Sequence, residues 1–110
     1  MEEKNFEYES ESDVLYIYSN NQPIKVAGSL QVNNLVIDLS SDGTIVGLQI
    51  DNASEYLGIP AKELENNISS SKLVTLVRGN AITILYKVLS AKYNSTNNIC
   101  LSKQQLSMNN

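Results

Sequence analysis

Polar and apolar positions alternate with period two over most of the chain, and the breaks in that alternation mark its turns. Residues 6–18, "FEYESESDVLYIY", put Phe6 and Tyr8 and then Val14, Tyr16 and Tyr18 on one face, with Leu15 and Ile17 opposite. Ser10-Glu11-Ser12-Asp13 supplies turn residues between them, so the segment reads as a first hairpin. Residues 19–29 hold Asn, Pro and Gly and read as a loop, with a short edge strand at 24–26. Residues 35–50, "LVIDLSSDGTIVGLQI", form a second hairpin if Asp42-Gly43 are the central residues of a type I′ turn. Leu39 then faces Val46, Ile37 faces Leu48 and Leu35 faces Ile50, while Val36/Gln49, Asp38/Gly47 and Ser40/Ile45 pair on the other face. A slip of one residue would move every side chain to the wrong face, so the agreement specifies the register.

After Ile50 the period changes. Asn52 is placed as a helix N-cap with Glu55 at capping-box spacing, and Gly58 suits the left-handed position that ends a helix. Pro60 opens a second helical turn, with Ile59 and Leu64 inward. Strands return at residue 72, where Gly79-Asn80 as a tight turn pairs Val77 with Ile82, Thr75 with Ile84 and Leu73 with Tyr86. The opposite face of that hairpin holds Val74, Leu76, Thr83 and Leu85, so it is apolar on both sides. Residues 94–98, "NSTNN", read as a turn into a last strand at 99–102. The expectation is an α+β fold of mainly antiparallel β-hairpins, six to seven strands, with a short helical segment at residues 52–66 between two groups of strands. Residues 1–102 form a single domain and 103–110 a polar, frayed tail.

Composition narrows the chemistry. The 110 residues are 42% hydrophobic and 18% charged, which supports a packed core. The net charge of −4, with only eight Lys and Arg, argues against a nucleic-acid partner. The N-terminus has no apolar signal-peptide core, no stretch reaches the length of a membrane span, and Cys100 is the only cysteine. The reading is a cytoplasmic protein without a membrane partner. With no His and one Cys, His-based triads, Cys–His catalysis and thiolate metal sites are excluded, and no glycine-rich phosphate cradle is present. No cofactor, metal site or catalytic residue is therefore expected.

With those elements placed, "YESESDVLYIY" and "LVIDLSSDGTIVGLQIDNASEYLG" resemble a small prokaryotic family catalogued as domain of unknown function 2283, over residues 8–58. The matching positions are Asp13, Leu15, Tyr16, Ile17, Asp38, Asp42-Gly43, Val46, Gly47, Ile50, Ala53 and Ser54. Gln49 stands where the family usually has Glu, and Glu9 where Asp often follows the first Tyr. The resemblance implies a small, soluble, intracellular protein and contributes no function. Residues 72–102 lie outside it.

The residues that could carry a ligand are Asp13, Tyr16 and Asp38. Asp38 is a mid-strand carboxylate opposite Gly47, which leaves space over it, and Tyr16 or Tyr18 could roof a small pocket. The acidic run Glu7, Glu9, Glu11, Asp13 lacks the spacing of a calcium loop and reads as a solvated strand face and turn. Cys100, in "NICLS", reads as a buried inert thiol. Two functions remain. One is a non-catalytic module that self-associates, as a dimer or larger homo-oligomer, or binds a protein through the two-sided apolar hairpin at 72–89. The other is a small enzyme or ligand-binding protein using the carboxylate/tyrosine pocket of Asp13, Asp38 and Tyr16.

Overall fold

The computed structural model describes residues 5–19 and 25–104. Among the described residues eight antiparallel strands form two sheets, with two short helices between them in the chain. The first sheet contains β1 (Phe6–Glu9), β2 (Val14–Tyr18), β3 (Gly28–Val32), β4 (Leu35–Leu39) and β5 (Ile45–Ile50), in spatial order β1-β2-β5-β4-β3. Helices α1 (Ala53–Leu57) and α2 (Ala61–Asn66) follow, and β6 (Ile68–Arg78), β7 (Ala81–Ser90) and β8 (Asn94–Ser102) form the second sheet in chain order. The α+β expectation holds, with one strand more than the pattern suggested.

Alternation decides which side of each strand is buried. Leu15, Ile17, Leu35, Ile37, Leu39, Ile45, Leu48 and Ile50 form the inner face of the first sheet. They share one core with Ala53, Leu57, Ile59 and Leu64 of the helical segment and with Leu73, Ile82, Ile84, Tyr86, Val88 and Leu101 of the second sheet. Ile59 and Leu64 point inward as expected. The Tyr86 hydroxyl, on a residue 1% exposed, meets the Tyr56 hydroxyl of α1 at 2.7 Å, which supplies the partner a buried phenol requires.

Several local expectations change. Phe6 pairs with Ile17 and Tyr8 with Leu15, so both aromatics lie on the core side and not with Tyr16 and Tyr18. The second hairpin keeps the pairs Leu35/Ile50, Val36/Gln49, Ile37/Leu48 and Asp38/Gly47, but a bulge then sets Leu39 opposite Ile45. The turn is accordingly one residue longer than the type I′ turn. Ser40 N–H donates to the Thr44 carbonyl and Gly43 N–H to the Ser40 carbonyl, and only Gly43 takes a positive φ, of 86°. This is the three-residue loop with glycine in the left-handed position. Asp42 tightens it by accepting from the Ser40 hydroxyl and the Thr44 N–H, bonds that bring its pKa down to about 2.

The expected edge strand at 24–26 is absent at Lys25 and Val26, and Ile24 lies outside the described residues; the edge strand is β3, starting at Gly28. Residues 94–98 are strand, with the reversal at Ala91-Lys92 closed by Ser90 N–H to the Tyr93 carbonyl. Their small polar side chains satisfy one another along β8, with Thr96 Oγ1 on Asn94 Oδ1 and Asn97 Nδ2 on Ser95 Oγ. Of the tail expected to fray at 103–110, Lys103 and Gln104 form a turn in which Lys103 N–H donates to the Asn80 carbonyl at 2.8 Å, and 105–110 lie outside the described residues. No helix among the described residues is long and apolar enough to cross a membrane.

Candidate functional site

Asp13 ends the turn between β1 and β2 with φ of 57°, a left-handed conformation that Asp tolerates better than most residues. That geometry aims both its carbonyl and its carboxylate at the start of α1. Ala53 N–H donates to the Asp13 carbonyl at 2.9 Å, Ser54 N–H to Oδ1 at 3.1 Å and Ser54 Oγ to Oδ2 at 2.8 Å. The Tyr8 hydroxyl donates to Oδ1 at 2.6 Å. Asn52, the expected capping residue, occupies the N-cap position with φ of 51° and makes no side-chain cap bond. The cap is supplied from 41 residues away, and α1 is fastened to the hairpin turn. Burial acts to raise the Asp13 pKa, but the bonds from Tyr8 and Ser54 outweigh it and hold the carboxyl below its ordinary range. Burial and then Asp13 push the Tyr8 phenol up.

Tyr16 and Asp38 stand on the outer face of the first sheet, away from this cap. Tyr16 lies between Glu7 on β1 and Gln49 on β5; Tyr18, Gly47, Asp38 and Ser29 form the next row across four strands. Asp38 Oδ1 accepts the Ser29 hydroxyl at 2.6 Å. A Cβ built on Gly47 would stand 3.4 Å from Asp38 Oδ2, so the carboxylate does use the space that glycine leaves. Burial, then the charges of Glu9, Asp51, Glu7 and Asp38, raise the Tyr16 pKa; burial and then Glu7 act on Tyr18 with the same sign. Gln49 donates to Asp51 Oδ1 at 2.9 Å. The structure thus brings Tyr16 and Asp38 onto one acidic face, and places Asp13 with Tyr8 and Ser54 on the core side of the same sheet.

The second sheet exposes a surface of different chemistry. Register puts Lys72 opposite Lys87, Val74 opposite Leu85, Leu76 opposite Thr83 and Arg78 opposite Ala81, with Thr96, Asn98, Cys100 and Ser102 completing the rows on β8. Leu76 is 47% exposed, and Val77 beside the hairpin turn 55%. A shallow depression on this face is lined by Lys72, Val74, Leu85, Lys87 and Thr96. Cys100 is exposed, which corrects the expectation of a buried thiol: Ile99 and Leu101 take the inward positions, and Cys100 receives a Thr83 hydroxyl contact at 3.7 Å on the outer face. The hairpin pairs expected around Gly79-Asn80 are all present. The basic character of this sheet was missed although it is visible in the sequence. Lys72, Arg78, Lys87, Lys92 and Lys103 occur after residue 66 without one Asp or Glu among them.

Comparison with known proteins bears on the first sheet. Residues 5–54 match the family described as protein of unknown function (DUF2283), a span that includes Asp13, Tyr16, Asp38 and Gly47. An uncharacterized protein of Methanocaldococcus jannaschii is 27% identical over 82 residues, covering 74% of this chain and 69% of that protein. No solved structure matches at a significant level. The matched segment runs from the start of β1 to the Asp13-capped entry of α1, so the similarity to the DUF2283 family covers the first sheet and stops before the second.

Proposed function

We propose that this chain is a non-catalytic interaction module that self-associates through the outer face of β6, β7 and β8. The observation behind this reading is that Val74, Leu76 and Leu85 face outward on long strands whose inner side already carries the core. A sheet with one buried face ordinarily presents polar residues on the other, and an outward apolar row marks a surface meant for a partner. The preference for a protein partner, and against nucleic acid, rests on the net charge of −4. Residence in the cytoplasm is proposed from the single cysteine.

The competing reading, a carboxylate/tyrosine ligand site, is reduced to Tyr16 and Asp38, because the Asp13 oxygens accept from Tyr8 and Ser54. Size-exclusion chromatography with light scattering, over a range of concentrations, tests the proposal. The mass should rise above that of one 12.1 kDa chain. A strictly monomeric protein at the highest concentration would contradict it.

A further inference from the structure

The two sheets divide the charge of the chain between them. Strands β1 to β5 carry Glu7, Glu9 and Asp38 and no Lys or Arg; strands β6 to β8 carry Lys72, Arg78 and Lys87 and no Asp or Glu. Each of these six charges lies on the outer face of its sheet, because the alternate positions of the same strands fill the core. Lys72 and Lys87 stand directly opposite each other, and neither has an ion-pair partner among the described residues. Like charges in that position repel and weaken a sheet. An anionic surface laid over the pair would remove the repulsion, and the apolar floor of Val74 and Leu85 beside it would be covered at the same time.

A matching surface exists on the same chain. The outer face of the first sheet sets Tyr16 and Tyr18 among Glu7, Glu9 and Asp38, which combines carboxylates for the lysines with aromatic rings for cation–π and apolar contact. The inner faces of both sheets share one core, so their outer faces point away from each other and one molecule cannot bring them together. We infer that the basic outer face of β6, β7 and β8 docks on the acidic outer face of β1 to β5 of a second copy, a head-to-tail contact. This inference rests on the self-association reading above and specifies its geometry. Three strands of about ten residues offer roughly 450 Å² per partner from ordinary strand dimensions, about half the 800 Å² or so of a standard stable interface. The contact is therefore weak, driven by concentration, and screened by salt. Because the two surfaces differ and point away from each other, two copies cannot satisfy both, and the contact adds further copies head to tail.

Two charge reversals test this: Lys72→Glu with Lys87→Glu, and Glu7→Lys with Glu9→Lys. Circular dichroism and melting first establish that both variants fold. In sedimentation velocity at low salt, the wild-type mass should climb with concentration without a dimer plateau. Association should weaken at least tenfold between about 20 and 500 mM salt. Each variant alone should be monomeric. Mixed in equal amounts they should associate again, because the intact acidic face of one meets the intact basic face of the other and the two reversed faces are complementary in turn. A mixture that stays monomeric overturns the inference, as does wild-type association that stops at a dimer. Association that survives both reversals and high salt overturns it while leaving self-association standing. A wild-type chain that is monomeric throughout, even if it binds heparin, overturns both. Should a variant fail to fold, the salt dependence and the absence of a plateau in the wild type still decide.

Discussion

Removing the Asp13 carboxylate should loosen the junction between the first hairpin and α1, and the size of the effect follows from its bonds. Asp13→Ala deletes the side-chain cap on Ser54 N–H, a loss of about 1 kcal/mol. It also removes a charged acceptor from the Tyr8 hydroxyl and from Ser54 Oγ. Bonds of that kind contribute about 1.5–3 kcal/mol when buried and less here, where water can reach the partly exposed phenol. Alanine must also hold the φ of 57° without help from a polar side chain. The expected total is about 2–3 kcal/mol. At roughly 2.1 cal/mol/K per residue of unfolding entropy, this lowers the melting temperature by about 10 °C.

Urea unfolding monitored by circular dichroism measures the loss, and Asp13→Gly, which relieves the backbone, should lose somewhat less. The pH dependence has a definite sign. The folded pKa of Asp13 is depressed, so the unfolded chain binds the proton first as pH falls past its own value of about 3.9. The stability advantage of wild type over Asp13→Asn is thus complete above about pH 5, and it is lost as pH falls through the folded pKa. An Asp13→Ala variant within 0.5 kcal/mol or so of wild type near neutral pH would refute the capping argument.

Other variants separate contacts from backbone effects. Tyr56→Phe leaves the buried Tyr86 hydroxyl without its partner and should cost about 1–2 kcal/mol, whereas Tyr86→Phe leaves only the exposed Tyr56 hydroxyl, which water can satisfy, and should cost less in the same unfolding assay. Gly43→Ala meets open space but must adopt φ of 86°, at about 1–2 kcal/mol; Gly47→Ala meets the movable end of Asp38 and should stay within about 1 kcal/mol of wild type. Cys100 should react with iodoacetamide in the folded protein, and protection from the reagent in dilute, high-salt solution without denaturant would contradict its outward placement.

The strands were legible where one face is strictly apolar. Leu35, Ile37, Leu48 and Ile50 specify their register by themselves, and the prediction failed only where Ile45 and Val46 are adjacent, both apolar and both buried. A bulge there is invisible to a count based on period two. Residues 94–98 looked like a turn because Asn, Ser and Thr are turn formers in isolation, yet pairing with β7 overrides that preference. The cap was legible as a position and not as a donor. Asn52 satisfies the local rule, but Asp13 reaches the same N–H from a distant turn, and no local pattern encodes such a contact. Asp38 over Gly47 followed directly from the register, and so did the two-faced character of residues 72–89. The segregation of charge between the sheets needed the strand pairing as well, because the lysines look scattered until Lys72 and Lys87 are seen side by side.

A concentration series of amide spectra on the ¹⁵N-labelled wild-type chain at low salt tests the central claim most directly. If the second sheet is an interaction surface, resonances of Lys72, Val74, Leu85, Lys87 and Thr96 shift progressively as the protein is concentrated, while core residues such as Ile37 and Ile84 stay fixed. Spectra unchanged across the series, or shifts confined to the helical segment 53–66, would contradict the account.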